Sequence, residues 1–191
     1  VEAHGRYFLY SPVFTVLFAP FAYLPAWLGP FAWNLFNYSL FFVAIFTLPQ
    51  QFTQQQKCRM FLFLLLILGQ SLLSFQYNIT VAYLFLFAYT LLEKDRGFLA
   101  VLLIMISGCT KVYGIFELAL LLCYPHVWRN FGYAVAMGIV LLTLPLIKIA
   151  PADLLPYYEE WCHSLAVHQS AGAYDSFFYA HGHCHTSVHF R

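Results

Sequence analysis

The sequence predicts an all-α fold: a polytopic bundle of transmembrane helices with broken or re-entrant members. Of the residues, 62% are apolar and only 9% are charged. The apolar residues fall in Leu, Phe and Ile runs that reach or approach the roughly 20 residues needed to cross a bilayer core of about 30 Å. These runs lack the alternation of a barrel strand, which leaves helices as the way to satisfy the backbone in lipid. Residues 1–148 are read as the transmembrane region and 149–191 as an extracytoplasmic polar and aromatic segment with an irregular tail.

The first segment, 10–28, is aromatic and broken by Pro12, Pro20 and Pro25, so it either spans or re-enters as an interfacial helix. Residues 30–48 form a span, with Trp27 and Trp33 near one end, where amphipathic rings favour the interface. A Gln-rich loop, 49–59, carries Lys57 and Arg59. Apolar arms at 60–74 and 79–92 flank a polar knot of Gln70, Ser71, Ser74, Gln76 and Asn78, giving a helical hairpin that ends at the charged turn 93–96. Arms at 97–106 and 115–124 repeat the arrangement around a second knot, 107–111, and a last span covers 131–147.

The basic loop residues Lys57, Arg59, Lys94, Arg96 and Arg129 are all expected on one side, which the positive-inside rule makes cytoplasmic. Both polar knots and the tail then face the other side. A net charge of +1 with scattered basic residues argues against nucleic acid as a partner. Five cysteines without a CxxC suggest neither a disulfide framework nor a thiolate zinc site. The chain begins at Val1 with no signal-peptide pattern, and it is read as a piece of a longer protein.

Lys111 is the sharpest signal. A lone ammonium in an apolar tract raises the insertion free energy by about 2.5–3.5 kcal/mol unless it meets an anion or a wet cavity. An ammonium in a partly dry pocket is a strong partner for a phosphate or carboxylate, although snorkelling toward headgroups would also accommodate it. Gly108 and Gly114 allow a helix break beside it, and Tyr113 either lines the same cavity or anchors the interface. Gln70, Gln76 and Asn78 offer amide donors and acceptors for a sugar or phosphate, or else cap broken helices. Glu117 lies six residues beyond Lys111, on a different face if the helix is α, and is expected to be protonated or paired across helices. The imidazoles of His181, His183, His185 and His189 have chelating spacing, but the abrupt change of composition around them favours a tail without metal chemistry. No acid among Glu2, Asp153, Glu159, Glu160 and Asp175 is singled out as a general base.

At Tyr10-Ser11-Pro12-Val13-Phe14, Gly69-Gln70, Gln76-Tyr77-Asn78, Cys109-Thr110-Lys111-Val112-Tyr113-Gly114 and Tyr157 to Trp161, the chain resembles glycosyltransferase family 87. That family is similar to mannosyltransferases of the GT-C membrane class, which use polyprenyl-phosphate sugars. The resemblance runs from about Arg6 to Trp161. It implies hexosyl or mannosyl transfer on the extracytoplasmic face of a bacterial plasma membrane, from a polyprenyl-phosphate donor to a lipid or glycan acceptor. Lys111, Gln70, Gln76, Asn78, Tyr10, Tyr113 and Arg6 become the expected substrate-binding residues. Such families carry their catalytic acid in a first outer loop upstream of the Tyr-Ser-Pro element, so no catalytic residue is assigned. Glu117 and the His-rich end depart from the pattern. No cofactor is required by the sequence, and dependence on a divalent metal is left open. Secondary transport and non-catalytic lipid binding are the alternatives.

Overall fold

A computed structural model describes residues 10–73 and 77–180, with side chains at 10–66, 69 and 77–167. Among the described residues the chain is all-helical and contains no strand. The α-helices are α1 (Pro12–Ala22), α2 (Leu28–Phe46), α3 (Gln54–Leu73), α4 (Asn78–Leu92), α5 (Gly97–Thr110), α6 (Val127–Thr143) and α7 (Pro151–Ala180). Two 3₁₀ helices, η1 (Val112–Cys123) and η2 (Leu144–Ile147), follow α5 and α6. Two stretches, Leu28–Phe46 and Val127–Ile147, are long and apolar enough to cross a membrane.

α5 is the hub. Small residues at Gly97, Ala100, Ser107, Cys109 and Thr110 are buried along it, so α4, η1 and α6 approach its backbone closely. Its fully buried residues Ala100, Val101 and Ile104 belong to a core with Ala88, Leu121, Ala134 and Leu141. A second core of Phe41, Ile45, Ile79, Tyr83 and Leu84 joins α2 to α4.

Hydrogen bonds fix the ends of the bundle. At one end Asn78, which opens α4, meets Lys111, which closes α5. At the other, Gln51 bonds to Tyr89, Tyr124 to Glu93, and Arg129 lies 4.0 Å from Asp95. Asn78 and the second polar knot therefore share one end, and the turns carrying Lys94, Arg96 and Arg129 share the opposite one. Lys57 is not the solvated loop charge the sequence suggests. It is 6% exposed, and its Nζ donates to Leu48 O at 2.6 Å and Phe46 O at 3.3 Å, satisfying carbonyls at the C-terminus of α2.

Several boundaries differ from the sequence expectation. Segment 10–28 contributes an 11-residue helix, about 16 Å long and too short for a bilayer core of about 30 Å. α1 packs against α2, α5 and η2, and ends where Tyr23 meets Lys148. The polar loop 49–59 is shorter than expected, because α3 starts at Gln54, behind a turn in which the Gln56 side chain accepts from the Thr53 N–H and hydroxyl. The stretch after Lys148, expected to be irregular, is helical over Pro151–Ala180; Pro151 opens it, where its missing N–H is harmless.

The second hairpin also departs from the expected pair of arms around a five-residue knot. α5 runs on to Thr110, only Lys111 is extended, and η1 returns as a 12-residue 3₁₀ helix. A 3₁₀ helix rises about 2.0 Å per residue, so 12 residues cover roughly 24 Å, comparable with the roughly 21 Å of the 14-residue α5. Its three-residue turn places Gly114 and Glu117 on one buried face against α5. A Cβ at Gly114 would lie 2.5 Å from Ser107 Oγ, and one at Gly108 would lie 3.1 Å from the Ile115 backbone. Glycine at these positions brings the two helices into contact.

Candidate functional site

The site lies at the Lys111 end, where α1, α4, α5 and η1 meet. Lys111 leaves the α-helix at φ −138° and ψ 119°. Its Nζ donates to Asn78 Oδ1 at 2.6 Å and sits 4.8 Å from the Tyr113 ring centroid and 5.5 Å from that of Tyr10. Both rings present π faces that attract the ammonium. Tyr113 OH donates to the same Asn78 oxygen. The Tyr77 N–H donates to Tyr10 OH at 3.3 Å, which ties the start of α4 to the segment before α1.

Ser11 locks α1 over this cluster. It precedes Pro12 at the N-cap position of α1 but does not cap its own helix with its side chain. Its Oγ donates to Cys109 O and its N–H to Thr110 O at 3.3 Å, so it satisfies carbonyls that the end of α5 leaves unpaired. Tyr10 is thereby held beside Lys111.

An apolar cavity of about 460 Å³ lies between α1, α2, α4 and α5, and Tyr10 packs on two residues of its wall, Phe14 and Tyr77. Phe14, Phe18, Phe21, Trp33, Tyr77 and Thr80 line it. Tyr10 stacks on Phe14 at 4.6 Å, and Phe14 meets Trp33 and Tyr77 edge to face, so one aromatic wall serves both cluster and cavity. Thr80 donates to Asn37 Oδ1 while Asn37 Nδ2 donates to Trp33 O at 2.7 Å. These partners account for the buried polar atoms beside the cavity.

Four of the residues singled out from the sequence, Tyr10, Asn78, Lys111 and Tyr113, come together here. Arg6 and Gln76 lie outside the described residues, as do the Gln70 side chain, Glu2 and the His-rich segment 181–189. Glu117 lies in η1, which Lys111 precedes in an extended conformation, and it forms no ion pair with Lys111 among the described residues. It is 8% exposed and pairs across the hairpin, with Ser107 Oγ donating to its Oε1 at 2.8 Å. Ser11, Trp33, Phe14 and Tyr77 were not singled out as site residues, although the Ser-Pro pair at 11–12 is itself a helix-start signal. Among the described residues no group of His, Cys, Asp and Glu has the geometry of a metal site.

In this all-helical chain a half-buried cation is thus held by an amide and two tyrosines beside an aromatic cavity. The sequence model of glycosyltransferase family 87 matches residues 8–180, and the chain belongs to that family. Membership implies a glycosyltransferase, with a sugar donor and an acceptor. Searches of curated proteins and of solved structures found no match.

Proposed function

We propose that the chain is part of a multi-pass membrane glycosyltransferase that transfers a hexosyl group, mannose being the first candidate, from a polyprenyl-phosphate sugar on the extracytoplasmic face. The observation that carries this reading is the Lys111–Asn78–Tyr10–Tyr113 cluster, which shares an aromatic wall with the cavity. Lys111 would bind the donor phosphate, with Asn78 and the two tyrosines holding its ammonium in place. The aromatic cavity would take the first part of the isoprenoid chain. Arg6, Gln70 and Gln76 would complete the polar rim.

In the transfer step the bond from the anomeric carbon to the phosphate oxygen breaks and its electron pair stays on the phosphate. The acceptor hydroxyl oxygen bonds to that carbon and gives its proton to a base. Negative charge grows on the leaving phosphate, and a cation held ready in a low-dielectric site stabilises it. Among the described residues no carboxylate lies within ion-pair distance of Lys111, which fits a cation left open for the donor phosphate. The base is assigned to a part of the protein beyond this cluster.

The test is incubation of the full-length protein in membranes with radiolabelled polyprenyl-phosphate mannose. Transfer that falls at least a hundredfold in Lys111→Gln, with insertion unchanged, supports the reading. Unchanged turnover overturns it. Donor binding without transfer would favour the second reading, a lipid-binding subunit, which the absence of a carboxylate at the described cluster also fits.

A further inference from the structure

The aromatic cavity has a depth and a floor that limit how much of an amphiphile it can hold. α2 and α4 run side by side in the same direction: Trp33 faces Tyr77 with ring centroids 6.1 Å apart, Asn37 bonds to Thr80, and Phe41 and Ile45 pack with Tyr83 and Leu84. The wall on α4 begins at Tyr77, next to Asn78 of the Lys111 cluster, and reaches Leu84; on α2 it runs from Trp33 to Leu40. Seven residues at α-helical rise cover about 10 Å. Ile106 joins this floor from α5, five positions before Lys111. Beyond Leu40 and Leu84 lie Phe41 and Ile45, both fully buried, so the core closes the far end.

The side between α1 and α2 is open. Pro20 is exposed there, and Phe36, also on the wall, is 45% exposed. The wall itself offers hydrocarbon and ring faces. Thr80 donates to Asn37 and Asn37 to Trp33 O, so these polar groups are used within the protein. Among the described residues the buried side-chain polar atoms without a partner belong to Glu117 and Asn130, and neither lines the cavity. Nothing in the wall calls for a polar ligand.

We propose that this cavity measures the prenyl chain of the donor: it packs the first four or so isoprene units, and the rest of the chain leaves between α1 and α2 into the bilayer. This rests on the polyprenyl-phosphate reading above and adds a limit to it. A five-carbon unit at the density of a protein interior fills roughly 120 Å³, so a cavity of about 460 Å³ holds about four. Bilayer and detergent are as apolar as the cavity, so only units packed against its rings gain over their surroundings. Units beyond the opening gain nothing. Leu40, Leu84 and Ile106 are the residues that set the limit.

The test uses the full-length protein in detergent and measures binding and transfer separately. Binding is read from the midpoint of thermal unfolding with prenyl monophosphates of two to seven isoprene units, and transfer from kcat/KM with mannosyl prenyl phosphates of the same lengths. Apparent affinity should rise about fivefold with each added unit up to the fourth and stay level from there to the seventh. Leu40→Trp fills part of the floor and should end the rise one unit sooner, whereas Leu84→Ala should carry it one unit further. Leu35→Ala, at an exposed position of α2 outside the wall, should leave the profile unchanged. The proposal is overturned by equal affinity across the series, by a rise that continues to seven units, by a break that stays at four in both floor variants, or by a shift in Leu35→Ala as large as in Leu40→Trp. Should the floor variants fail to fold, the wild-type profile decides the matter. Transfer without a break overturns this inference and leaves the transferase reading intact. Binding with the break but no transfer from any donor supports the inference and overturns that reading.

Discussion

Lys111 Nζ and Asn78 Oδ1 lie 2.6 Å apart, and the bond joins residues from two helices whose polar knots are 33 positions apart in sequence. The acceptor is a neutral amide. It fixes the ammonium in space without cancelling its charge, and Tyr113 donates to the same oxygen from the exposed side. A carboxylate in this place would hold the lysine equally well and occupy it.

That distinction predicts an unusual order of severity. Asn78→Ala removes one hydrogen bond to a charged group, worth about 1.5–3 kcal/mol, and should raise the donor KM roughly tenfold to a hundredfold. Asn78→Asp preserves shape but pairs Lys111 internally, so it should reduce transfer more than alanine does. Steady-state kinetics with the proposed polyprenyl-phosphate donor check the order, and an aspartate variant more active than the alanine one would contradict this role.

Much of this cluster was legible because a charge in an apolar tract is improbable without a purpose, and Lys111 stood alone in one. The polar knots read as sharing an end because helix lengths and basic turns constrained them. The 3₁₀ helix was not legible. In η1 nearly every residue is apolar, so periods of 3.0 and 3.6 residues leave no different imprint on hydropathy. Only the placement of Gly114 and Glu117 three apart distinguishes them, and that spacing also suits an α-helix. The second role of Ser11 was equally hidden, since its partners are carbonyls 98 and 99 residues away and backbone groups carry no sequence signature.

Gly114 offers a direct check on the hairpin. An added methyl would lie 2.5 Å from Ser107 Oγ and 2.6 Å from its carbonyl carbon, and the backbone cannot yield as a side-chain tip can. Gly114→Ala should therefore destabilise the protein by about 1–3 kcal/mol through overpacking. Gly132→Ala, where nothing lies within 4 Å, should be neutral or stabilising. Thermal unfolding of the two variants in detergent separates them.

Ser107 and Glu117 form a coupled pair. The serine hydroxyl donates to Oε1, while Oε2 has no partner among the described residues. Ser107→Ala leaves both carboxyl oxygens unsatisfied and should be destabilising by about 1–3 kcal/mol. In the Glu117→Met background the same change should have little effect, because the group that needed the hydroxyl is gone. A double-mutant cycle on unfolding free energy measures the coupling, and additive effects would show that the bond contributes nothing.

Lys57 separates structural stability from the membrane orientation proposed for the chain. Its ammonium holds the carbonyls of Phe46 and Leu48 as α2 ends, where the helix dipole also favours a cation. Lys57→Met keeps the aliphatic stem and removes both bonds, leaving carbonyl groups in a nearly buried site without donors. The expected loss is about 1–3 kcal/mol of stability. Arg59 remains in the same segment, together with the basic turns at Lys94, Arg96 and Arg129, so the excess of positive loops persists and orientation should not change. Unfolding measurements and cysteine accessibility on either side of the membrane read the two effects separately. A variant that inverts in the membrane while keeping wild-type stability would show that Lys57 acts as a topological charge and not as a helix cap.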